Sequence, residues 1–480
     1  MRKRGTWIVV IAGAVVAASC GEPSGVPRRA TIAPGLVSAL SAAAPTDTQF
    51  VIVQFDDAVT SGATVASRIQ DLGAGARALT QLPFVGVLAT PAQVQTIATL
   101  PGVIQISPNS QLHYLGAPGG VRALAALLDE SVPTIKADQA RATFGVSGRG
   151  IGVAILDSGI DGLYQADVQY PSRTIQNLKV LVNQKDVICF RGLPCTGSIY
   201  VENLPNSETS VGHGTHVSGI AGGNGTMSNG LYTGVAPGAN LIGIGTGDVL
   251  FIFWALAGFD YILQHQDVYN IKVVNNSWGT SGPFDPKDPI NVATKRVHNR
   301  GITVVFAAGN DGPDQNTLNP YSVAPWVIGV AASCSATDTL AQRLHCQPGG
   351  MLADFSSRGI PGDPLYHPTV TAPGVHVISA RASTGTVLNT SDAPHDFDLT
   401  SSCGLRTEFA PFYTCASGTS MATPHVTGVV ALMQERAGGK LRPDQVRDIL
   451  VQTADPMAGY AVFEVGAGLV NALEAVRQSR

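Results

Sequence analysis

Six short apolar runs, rich in valine and isoleucine, set the strongest limit on the fold of this chain. They lack polar alternation, and continuous β-branched runs are typical of strands buried on both faces. Stretches with helical spacing lie between them, and this alternation favours a parallel sheet covered by helices. The sequence therefore predicts an α/β fold with a mostly parallel sheet and helices on both faces, its strands lying within residues 151–156, 241–244, 271–274, 302–306, 327–330 and 375–378.

A smaller unit precedes the α/β part. Residues 48–113 follow the order strand, helix, two strands, helix, strand, which is that of a small α+β ferredoxin-like domain. Residues 21–47 are rich in Pro, Ala and Ser and predict a flexible linker. Residues 114–134 predict a second connection, a processing linker, which leaves residues 135–480 for the α/β domain.

Composition limits the partners of the chain. Its formal net charge is −4 and charged residues make up 13% of it, so no basic surface for nucleic acid is indicated. Glycine (54) and proline (30) are abundant without a period, which fits a loop-rich α/β protein. We expect a monomer that does not bind nucleic acid.

The N-terminus has the pattern of an export signal. Basic residues at positions 2–4 precede an apolar run over residues 7–18, too short for a membrane-spanning helix. Small residues before Cys20 resemble a bacterial lipobox, although Ala17 stands where leucine is usual. Residues 1–20 therefore predict a signal peptide, with Cys20 as the lipidation candidate and ordinary cleavage as the alternative. The protein is expected to be secreted or to be a cell-envelope lipoprotein of a bacterium.

The six other cysteines fall into sequence neighbours. An even number of cysteines in an exported protein indicates disulfides, and six allow fifteen connectivities. A metal site is the alternative, but the spacings are not those of paired Cys-x-x-Cys. We predict the local pairs Cys189 with Cys195, Cys334 with Cys346, and Cys403 with Cys415.

Four polar residues lie where predicted strands end or buried helices begin: Asp157, His213, Asn310 and Ser420. Each also has a purely structural explanation, as a turn aspartate, a histidine in a glycine turn, a turn asparagine and a helix N-cap. Ligand crevices of open parallel sheets lie at the carboxyl ends of the strands. Together the four could supply an orienting acid, a base, an oxyanion donor and a nucleophile.

A metal pair is the competing explanation for the histidine motif. His213 and His216 are three residues apart, whereas the helices of metalloproteases carry two histidines four apart with an intervening glutamate. We therefore predict no metal at this motif.

Asp157, His213, Asn310 and Ser420, in this order and each among small residues, resemble the subtilase family (peptidase S8) of serine proteases. The resemblance covers roughly residues 130–475. It is carried by the motifs at residues 150–159, 212–220, 234–237, 276–279, 371–374, 417–424 and 466–472.

The resemblance implies an exported serine endopeptidase that acts on proteins or peptides. Ser420 would be the nucleophile, His213 the general base and Asp157 the residue that orients it, with Asn310 in the oxyanion hole. The chemistry would need no cofactor, and structural calcium is an expectation from the family alone. The walls of the substrate site would be Ser277, Trp278, Gly279, Ala307, Ala308 and Gly309.

The resemblance also implies that the upstream unit is an inhibitor I9-type propeptide. It would inhibit the enzyme within the same chain, as part of a self-processed zymogen, until a cut between about residues 114 and 129. Residues 243–248 depart from the usual edge that binds upstream substrate residues. A narrow processing protease, a peptide ligase and a lipid-anchored peptide receptor without catalysis remain as alternatives.

Overall fold

The computed structural model describes residues 29–115, 128–181, 188–191, 198–335, 351–384, 386–391 and 405–480. The predicted signal peptide and Cys20 therefore lie outside the described residues. The helices are α1 Pro34–Ala42, α2 Gly62–Asp71, α3 Pro91–Ile97, α4 Leu128–Thr134, α5 Ala137–Phe144, α6 His213–Gly222, α7 Ile252–His265, α8 Pro289–Asn299, α9 Thr386–Ser391, α10 Thr419–Arg436, α11 Pro443–Thr453, α12 Val462–Val465 and α13 Ala472–Gln478. The strands are β1 Thr31–Ile32, β2 Gln49–Phe55, β3 Gly75–Ala78, β4 Phe84–Ala89, β5 Val103–Pro108, β6 Gln111–Tyr114, β7 Gly152–Asp157, β8 Thr174–Val180, β9 Tyr200–Val201, β10 Asn240–Gly245, β11 Leu250–Phe251, β12 Ile271–Asn276, β13 Trp278–Gly279, β14 Thr303–Ala307, β15 Ile328–Ser333, β16 Val370–Pro373, β17 Val377–Ala380 and β18 Tyr413–Ala416.

An eight-stranded sheet forms the centre of the α/β domain, in the order β16-β15-β14-β12-β7-β10-β8-β9. Its neighbours are parallel except for β8 and β9. Alternate residues of β7 enter different cores: Val153 and Ile155 pack in the core that includes residues of α6 and α10. Ala154 and Leu156 pack in the core that includes residues of α7 and α8. The predicted parallel sheet with helices on both faces is confirmed.

Two details of the sheet differ from the sequence prediction. The run at residues 375–378 does not join the main sheet, because β17 pairs antiparallel with β18 instead, and β16 takes the edge. Strand β8 was not predicted, because Gln176 and Asn177 interrupt its apolar pattern. Both side chains are buried and hydrogen-bonded, with Asn177 Nδ2 donating to Ile160 O at 3.0 Å. A polar residue with a buried partner is compatible with a core strand.

The N-terminal unit has the strand order β1-β5-β2-β4-β3, with α2 and α3 in the connections. Without β1 this is the arrangement of a ferredoxin-like domain. The linker predicted at residues 21–47 is wrong for its described part, which forms β1 and α1. Leu36 and Leu40 are the reason, because they are buried in the core of the unit together with Ala30.

Polar contacts join this unit to α7 of the α/β domain. The Asp260 carboxylate accepts hydrogen bonds from the backbone N–H groups of Thr80, Gln81 and Leu82, at 2.9, 2.6 and 2.9 Å. Asp260 is almost fully buried, and burial raises the pKa of its carboxyl group. A buried carboxylate without partners would be costly, so these three donors favour docking.

The first turn of α7 is a second contact with the N-terminal unit. Asn109 Oδ1 accepts from the N–H group of Phe253 at 2.8 Å and so satisfies one of the amides that the helix leaves unpaired. The ring of Phe253 lies on Gly86 of β4, where an added Cβ would come within 2.6 Å of the ring. Glycine at position 86 therefore allows the close approach of sheet and helix.

The predicted connection at residues 114–134 ends earlier than expected. Helix α4 lies inside this range, and its Val132 is buried in the core of the α/β domain. The hydroxyl group of Ser131 lies 2.8 Å from Nε2 of the buried His425 in α10. The α/β domain therefore includes residues from 128 onward, rather than beginning at residue 135.

Three of the candidate disulfide cysteines, Cys189, Cys334 and Cys415, lie in described segments, and none of them is a free thiol. Their predicted partners Cys195, Cys346 and Cys403 lie outside the described residues. The pairing therefore stays a prediction.

Within the described segments, no helix combines the length and the apolar character that crossing a bilayer requires.

Candidate active site

Asp157 and His213 form a buried pair. Asp157 is the last residue of β7 and His213 is the first residue of α6. Oδ1 of Asp157 lies 2.7 Å from Nδ1 of His213, and the two residues are 0% and 2% exposed. Because this bond is donated from Nδ1, the neutral imidazole has its lone pair on Nε2. Nε2 has no hydrogen-bond partner among the described residues, so it is available as a base.

Ser420 is the second residue of α10, where backbone N–H groups lack partners within the helix. Its hydroxyl group donates to Ser277 O at 2.9 Å. Ser277 Oγ in turn donates to Ser420 O, also at 2.9 Å. The structure thus holds the serine at a helix N-terminus, but its hydroxyl group is turned to Ser277 rather than to Nε2 of His213.

The side chain of Asn310 is fixed in orientation from its oxygen end. Oδ1 accepts from the N–H group of Thr419 at 2.9 Å and from the Thr419 hydroxyl group at 2.7 Å. The amide Nδ2 therefore points the other way and donates to Leu115 O at 2.6 Å. The preceding Gly309 has φ +114°, and a Cβ there would lie 2.5 Å from Ser357 Oγ. Both facts favour glycine before the amide donor.

The last described residues of the N-terminal unit, 111–115, are extended and lie in the cleft beside Ser277 and Asn310. Strand β6 is the middle strand of an antiparallel sheet, between β11 on one side and β13 on the other. The N–H group of Leu115 continues this pairing and donates to Ser277 O at 3.2 Å. A peptide added as a strand gains main-chain hydrogen bonds on both edges. The carbonyl group of Leu115 is thereby held at Asn310, beside the helix that carries Ser420.

The six predicted wall residues lie in two adjoining segments. Trp278 and Gly279 form β13, but the indole is buried and donates from Nε1 to Leu156 O at 2.8 Å, so Trp278 meets the peptide through its backbone. The Asn319 amide joins the segments, because its Nδ2 donates to Trp278 O at 3.1 Å and to Ala307 O at 2.9 Å. On its other edge, β6 pairs with β11. Residues 240–245 belong instead to the central sheet.

The sequence profile described as "Subtilase family" (peptidase S8) matches residues 148–468, about two thirds of the chain. This chain belongs to the subtilase family. Among curated relatives, the serine protease AprX of Bacillus subtilis is 29% identical over 378 residues, which are 74% of this chain and 73% of that protein. The extracellular protease of Xanthomonas campestris is 31% identical over 299 residues, 60% of this chain and 42% of that protein. The chain is a serine endopeptidase of this family.

A solved structure agrees with the fold of this subtilase. Fervidolysin from Fervidobacterium pennivorans, described as a keratinolytic enzyme related to subtilisin, superposes with a TM-score of 0.64 at 21% identity. The match covers 94% of this chain and 63% of that chain. At this identity the likeness supports the architecture alone.

His216 does not form a metal pair with His213 in this subtilase. Its Nε2 lies 3.1 Å from Val377 O and 3.2 Å from Thr414 O, so this nitrogen carries the proton. Burial lowers the pKa of His216 to about 3, which keeps the ring neutral. In the part of the chain that the structure describes, no group of three or more His, Cys, Asp or Glu is placed to hold a metal. Subtilases need no cofactor for catalysis, and calcium stays an expectation from the family.

Glu208 is a buried carboxylate that the sequence analysis did not single out. Its Oε2 accepts from the Thr215 N–H group at 2.9 Å and from the Thr215 hydroxyl group at 2.8 Å. Its Oε1 accepts from the N–H group of Thr209 at 3.0 Å. Thr215 is in the first turn of α6, so Glu208 anchors the helix that begins with His213. Burial raises the pKa of the Glu208 carboxyl group to about 7.

We expect Glu208 to make this subtilase less stable as the pH rises through the weakly acidic range. Unfolded, the carboxyl group loses its proton near its ordinary pKa of about 4.3, whereas folded it keeps the proton to about 7. The folded state therefore binds more protons between these values, and the free energy of unfolding falls there as the pH rises, by about 3–4 kcal/mol. Denaturant titrations between pH 4 and 8, in a Ser420→Ala background that avoids autolysis, measure this slope.

The matched variant is Glu208→Gln, which cannot titrate. The free energy of unfolding of this variant is expected to be lower at every pH. The side-chain NH2 group of glutamine is a donor, and it would face a backbone N–H group that now donates to Glu208. The pH dependence attributable to Glu208 should disappear all the same. Parallel pH profiles with and without the Glu208→Gln substitution would contradict the raised pKa.

Proposed function

We propose that Asp157, His213 and Ser420 are the catalytic triad of this subtilase. His213 Nε2 would take the proton from the Ser420 hydroxyl group as Oγ attacks the peptide carbonyl carbon. Asp157 would hold the imidazole through its 2.7 Å bond to Nδ1 and stabilise the imidazolium. For this step the Ser420 hydroxyl group must turn from Ser277 to His213. Such a bond often forms only with the reacting complex.

The negative charge of the tetrahedral intermediate would be held by two donors. One is Asn310 Nδ2, which already reaches the carbonyl oxygen of a bound peptide at 2.6 Å. The other is the N–H group of Ser420 in the first turn of α10, where the helix dipole also favours negative charge. When the intermediate collapses, the C–N bond breaks and His213 gives its proton to the leaving amine. Water then hydrolyses the ester on Ser420 by the same route.

We further propose that residues 29–115 act as a propeptide and that the chain cleaves itself between Leu115 and Gly116. The observation that carries this proposal is the position of Leu115, whose carbonyl group meets Asn310 and whose N–H group meets Ser277. Residues 111–114 lie between two strands of the α/β domain and so block the cleft. The bond after Leu115 falls within the range of about 114–129 expected from the sequence.

The contacts of the upstream unit support an inhibitory role. Asp260 of α7 holds the loop at residues 80–82, and Phe253, two residues after β11, packs on Gly86 of β4. The bonds of Asp260 are made with residues outside β6, so they can hold the unit in addition to the pairing of β6. Once the bond after Leu115 is cut, the propeptide would therefore remain bound. Its C-terminal strand would stay in the cleft as a product of the cleavage.

Export belongs to the same proposal. A curated relative is named as an extracellular protease, and the first twenty residues carry the export pattern described above. We propose that the chain is secreted or anchored through Cys20, and that the cysteines form the local disulfides. The intact mass of material from the producing cell distinguishes a lipidated Cys20 from an ordinary signal cut.

The experiment that tests the proposed function combines mass and labelling. Purified full-length chain is incubated, and its fragments are identified by intact mass and N-terminal sequencing. We expect a new N-terminus at Gly116, followed by fluorophosphonate labelling of Ser420 in the processed enzyme.

Two outcomes contradict the proposal in different ways. A folded protein that does not cut itself, and that fails to label at Ser420 after an added protease has removed the N-terminal unit, would fit a peptide receptor rather than a protease. Labelling with a first cut elsewhere would keep the protease but reject Leu115 as the processing site.

A further inference from the structure

The side chain of Tyr114 occupies a polar recess beside the catalytic histidine. Its hydroxyl group lies 2.8 Å from Thr246 Oγ1 and donates to Gly247 O at 2.7 Å. Its ring lies beside that of His213, with centroids 5.5 Å apart and planes inclined by 35°. Burial raises the pKa of the Tyr114 phenol well above its usual value, so the hydroxyl group stays protonated.

The recess matches the hydrogen-bonding capacity of a phenol. Thr246 is fixed at the end of the central sheet, because its N–H group donates to Asp157 O at 2.8 Å and its hydroxyl group donates to the same oxygen at 3.0 Å. Gly247 has φ +87°, a conformation that favours glycine. This backbone presents the Gly247 carbonyl group as an acceptor beside the Thr246 hydroxyl group. A phenol supplies the donor that the Gly247 carbonyl group accepts, and its oxygen also lies within hydrogen-bond distance of Thr246 Oγ1.

The recess belongs to the α/β domain and would remain after the propeptide leaves. Tyr114 directly precedes Leu115, so it occupies the position called P2, one residue before the cleaved residue P1. A substrate that pairs with β11 and β13 as β6 does would place its own P2 side chain against Thr246 and His213.

We propose that Thr246 and the Gly247 carbonyl group select tyrosine at P2 of the substrate, in preference to phenylalanine and to small residues. This inference rests on the proposed function, since it takes Leu115 as P1. The hydroxyl contacts would separate tyrosine from phenylalanine, and the ring packing on His213 would separate both from alanine. A P2 ring on His213 also shields the buried Asp157–His213 pair from water.

The expected discrimination is moderate. The net free energy of a neutral hydrogen bond corresponds to a factor of about 3–10 in kcat/KM between a substrate that makes the bond and one that does not. The tyrosine over phenylalanine ratio of kcat/KM should therefore be about 3–10. Loss of the aromatic ring should lower kcat/KM by about a further tenfold, because ring packing is lost as well.

The test uses processed enzyme and three peptides that carry the sequence of residues 111–115 with a chromogenic amine after the leucine. They differ only at the position of Tyr114, which is tyrosine, phenylalanine or alanine. We expect kcat/KM to fall in that order. The Thr246→Val variant keeps the shape of the side chain but loses the hydroxyl group, so its tyrosine over phenylalanine ratio should fall to the part that the Gly247 carbonyl group alone supplies, while its phenylalanine over alanine ratio is retained.

The ratios make each enzyme its own control, because Thr246 also contacts Asp157 and its replacement can change all rates together. Thr233→Val is the matched variant. The Thr233 hydroxyl group donates to Gly230 O, so this substitution should leave both ratios unchanged.

Equal rates for tyrosine and phenylalanine peptides in the wild type, or an unchanged ratio in Thr246→Val, would overturn the inference and leave the protease intact. Cleavage of no peptide, with no labelling of Ser420, would overturn the proposed function as well. If Thr246→Val does not fold, the wild-type comparison and the inhibition constants of the corresponding product peptides decide.

Discussion

Replacing Ser420 by alanine should leave the chain uncut after Leu115 and lower peptide hydrolysis by about 10⁶-fold. The reason is that the oxygen that would form the acyl intermediate is lost, while the cleft, the propeptide and the oxyanion donors remain. The processing reaction is followed by intact mass over hours, and hydrolysis is followed with a chromogenic peptide after the propeptide is removed by an added protease.

Ser417→Ala is the matched control for this substitution. Ser417 lies three residues earlier, and its hydroxyl group accepts from the His376 N–H group at 2.9 Å, outside the proposed triad. We expect this variant to process itself, with a stability loss of about 1 kcal/mol from the missing hydrogen bond. A Ser420→Ala chain that still cuts itself after Leu115 at the wild-type rate would show that another nucleophile is responsible.

The parts of the fold that follow from local pattern were predictable. The five apolar runs that end near residues 156, 244, 274, 306 and 330 became neighbouring parallel strands, because side chains buried on both faces leave no polar alternation. Strand β8 was not predictable in this way. Its Gln176 and Asn177 are polar, and only partners distant in sequence, such as the hydroxyl group of Tyr261, make their burial acceptable.

The prediction that residues 375–378 join the parallel sheet was wrong for a different reason. Its apolar composition indicates a strand but not the partner, and the partner β18 lies more than thirty residues later, directly before the Ser420 turn. Long-range pairing of this kind is not encoded in periodicity. The linker prediction at residues 21–47 failed because Leu36 and Leu40, separated by four residues, were outweighed by the surrounding Pro, Ala and Ser.

For the site, the sequence indicated the residues but not their mutual geometry. Asp157 and His213 could be named from their motifs, and the structure places them in contact. Thr419 and Glu208 were missed because their importance depends on which atoms face them. Tyr114 and Leu115 lie at the start of the range predicted for the cut, but the sequence did not single them out, because a short alternating segment before a Gly- and Pro-rich stretch has the same appearance as a linker. Only the pairing of β6 with β11 and β13 distinguishes it.

The cleft also explains how one segment can serve two purposes. Residues 111–115 pair with β11 and β13, which are the edges that a substrate would use under the proposed function, so the same segment would exclude a substrate strand. The docking contacts of Asp260 are made with residues 80–82, whereas Phe253 lies two residues after β11 and contacts Asn109. We therefore expect substitution of Asp260 to weaken the proposed inhibition, and substitution of Thr246 to change the proposed recognition of the cleaved bond.

Replacing Asn310 by alanine should lower kcat by about 10²–10³-fold and change KM little. The amide Nδ2 meets the carbonyl oxygen of Leu115, and its bond strengthens as that oxygen becomes charged in the transition state. Steady-state kinetics with the tyrosine peptide separate kcat from KM. Fluorophosphonate labelling of Ser420 should persist in Asn310→Ala, because the nucleophile and the base are intact.

Substitutions of Thr419 test the role of the Asn310 side chain through its oxygen, Oδ1, rather than through Nδ2. Its hydroxyl and N–H groups hold Oδ1 of Asn310, so they set the direction in which Nδ2 points. Thr419→Val removes the hydroxyl group and should lower kcat by a smaller factor, about tenfold, because the N–H contact remains. Thr419→Ser keeps the hydroxyl group and should recover most of the loss. Because a misdirected amide matters only when Asn310 is present, Thr419→Val should have little further effect in the Asn310→Ala background. Additive losses in the double variant would mean that Thr419 supports the fold rather than the oxyanion donor.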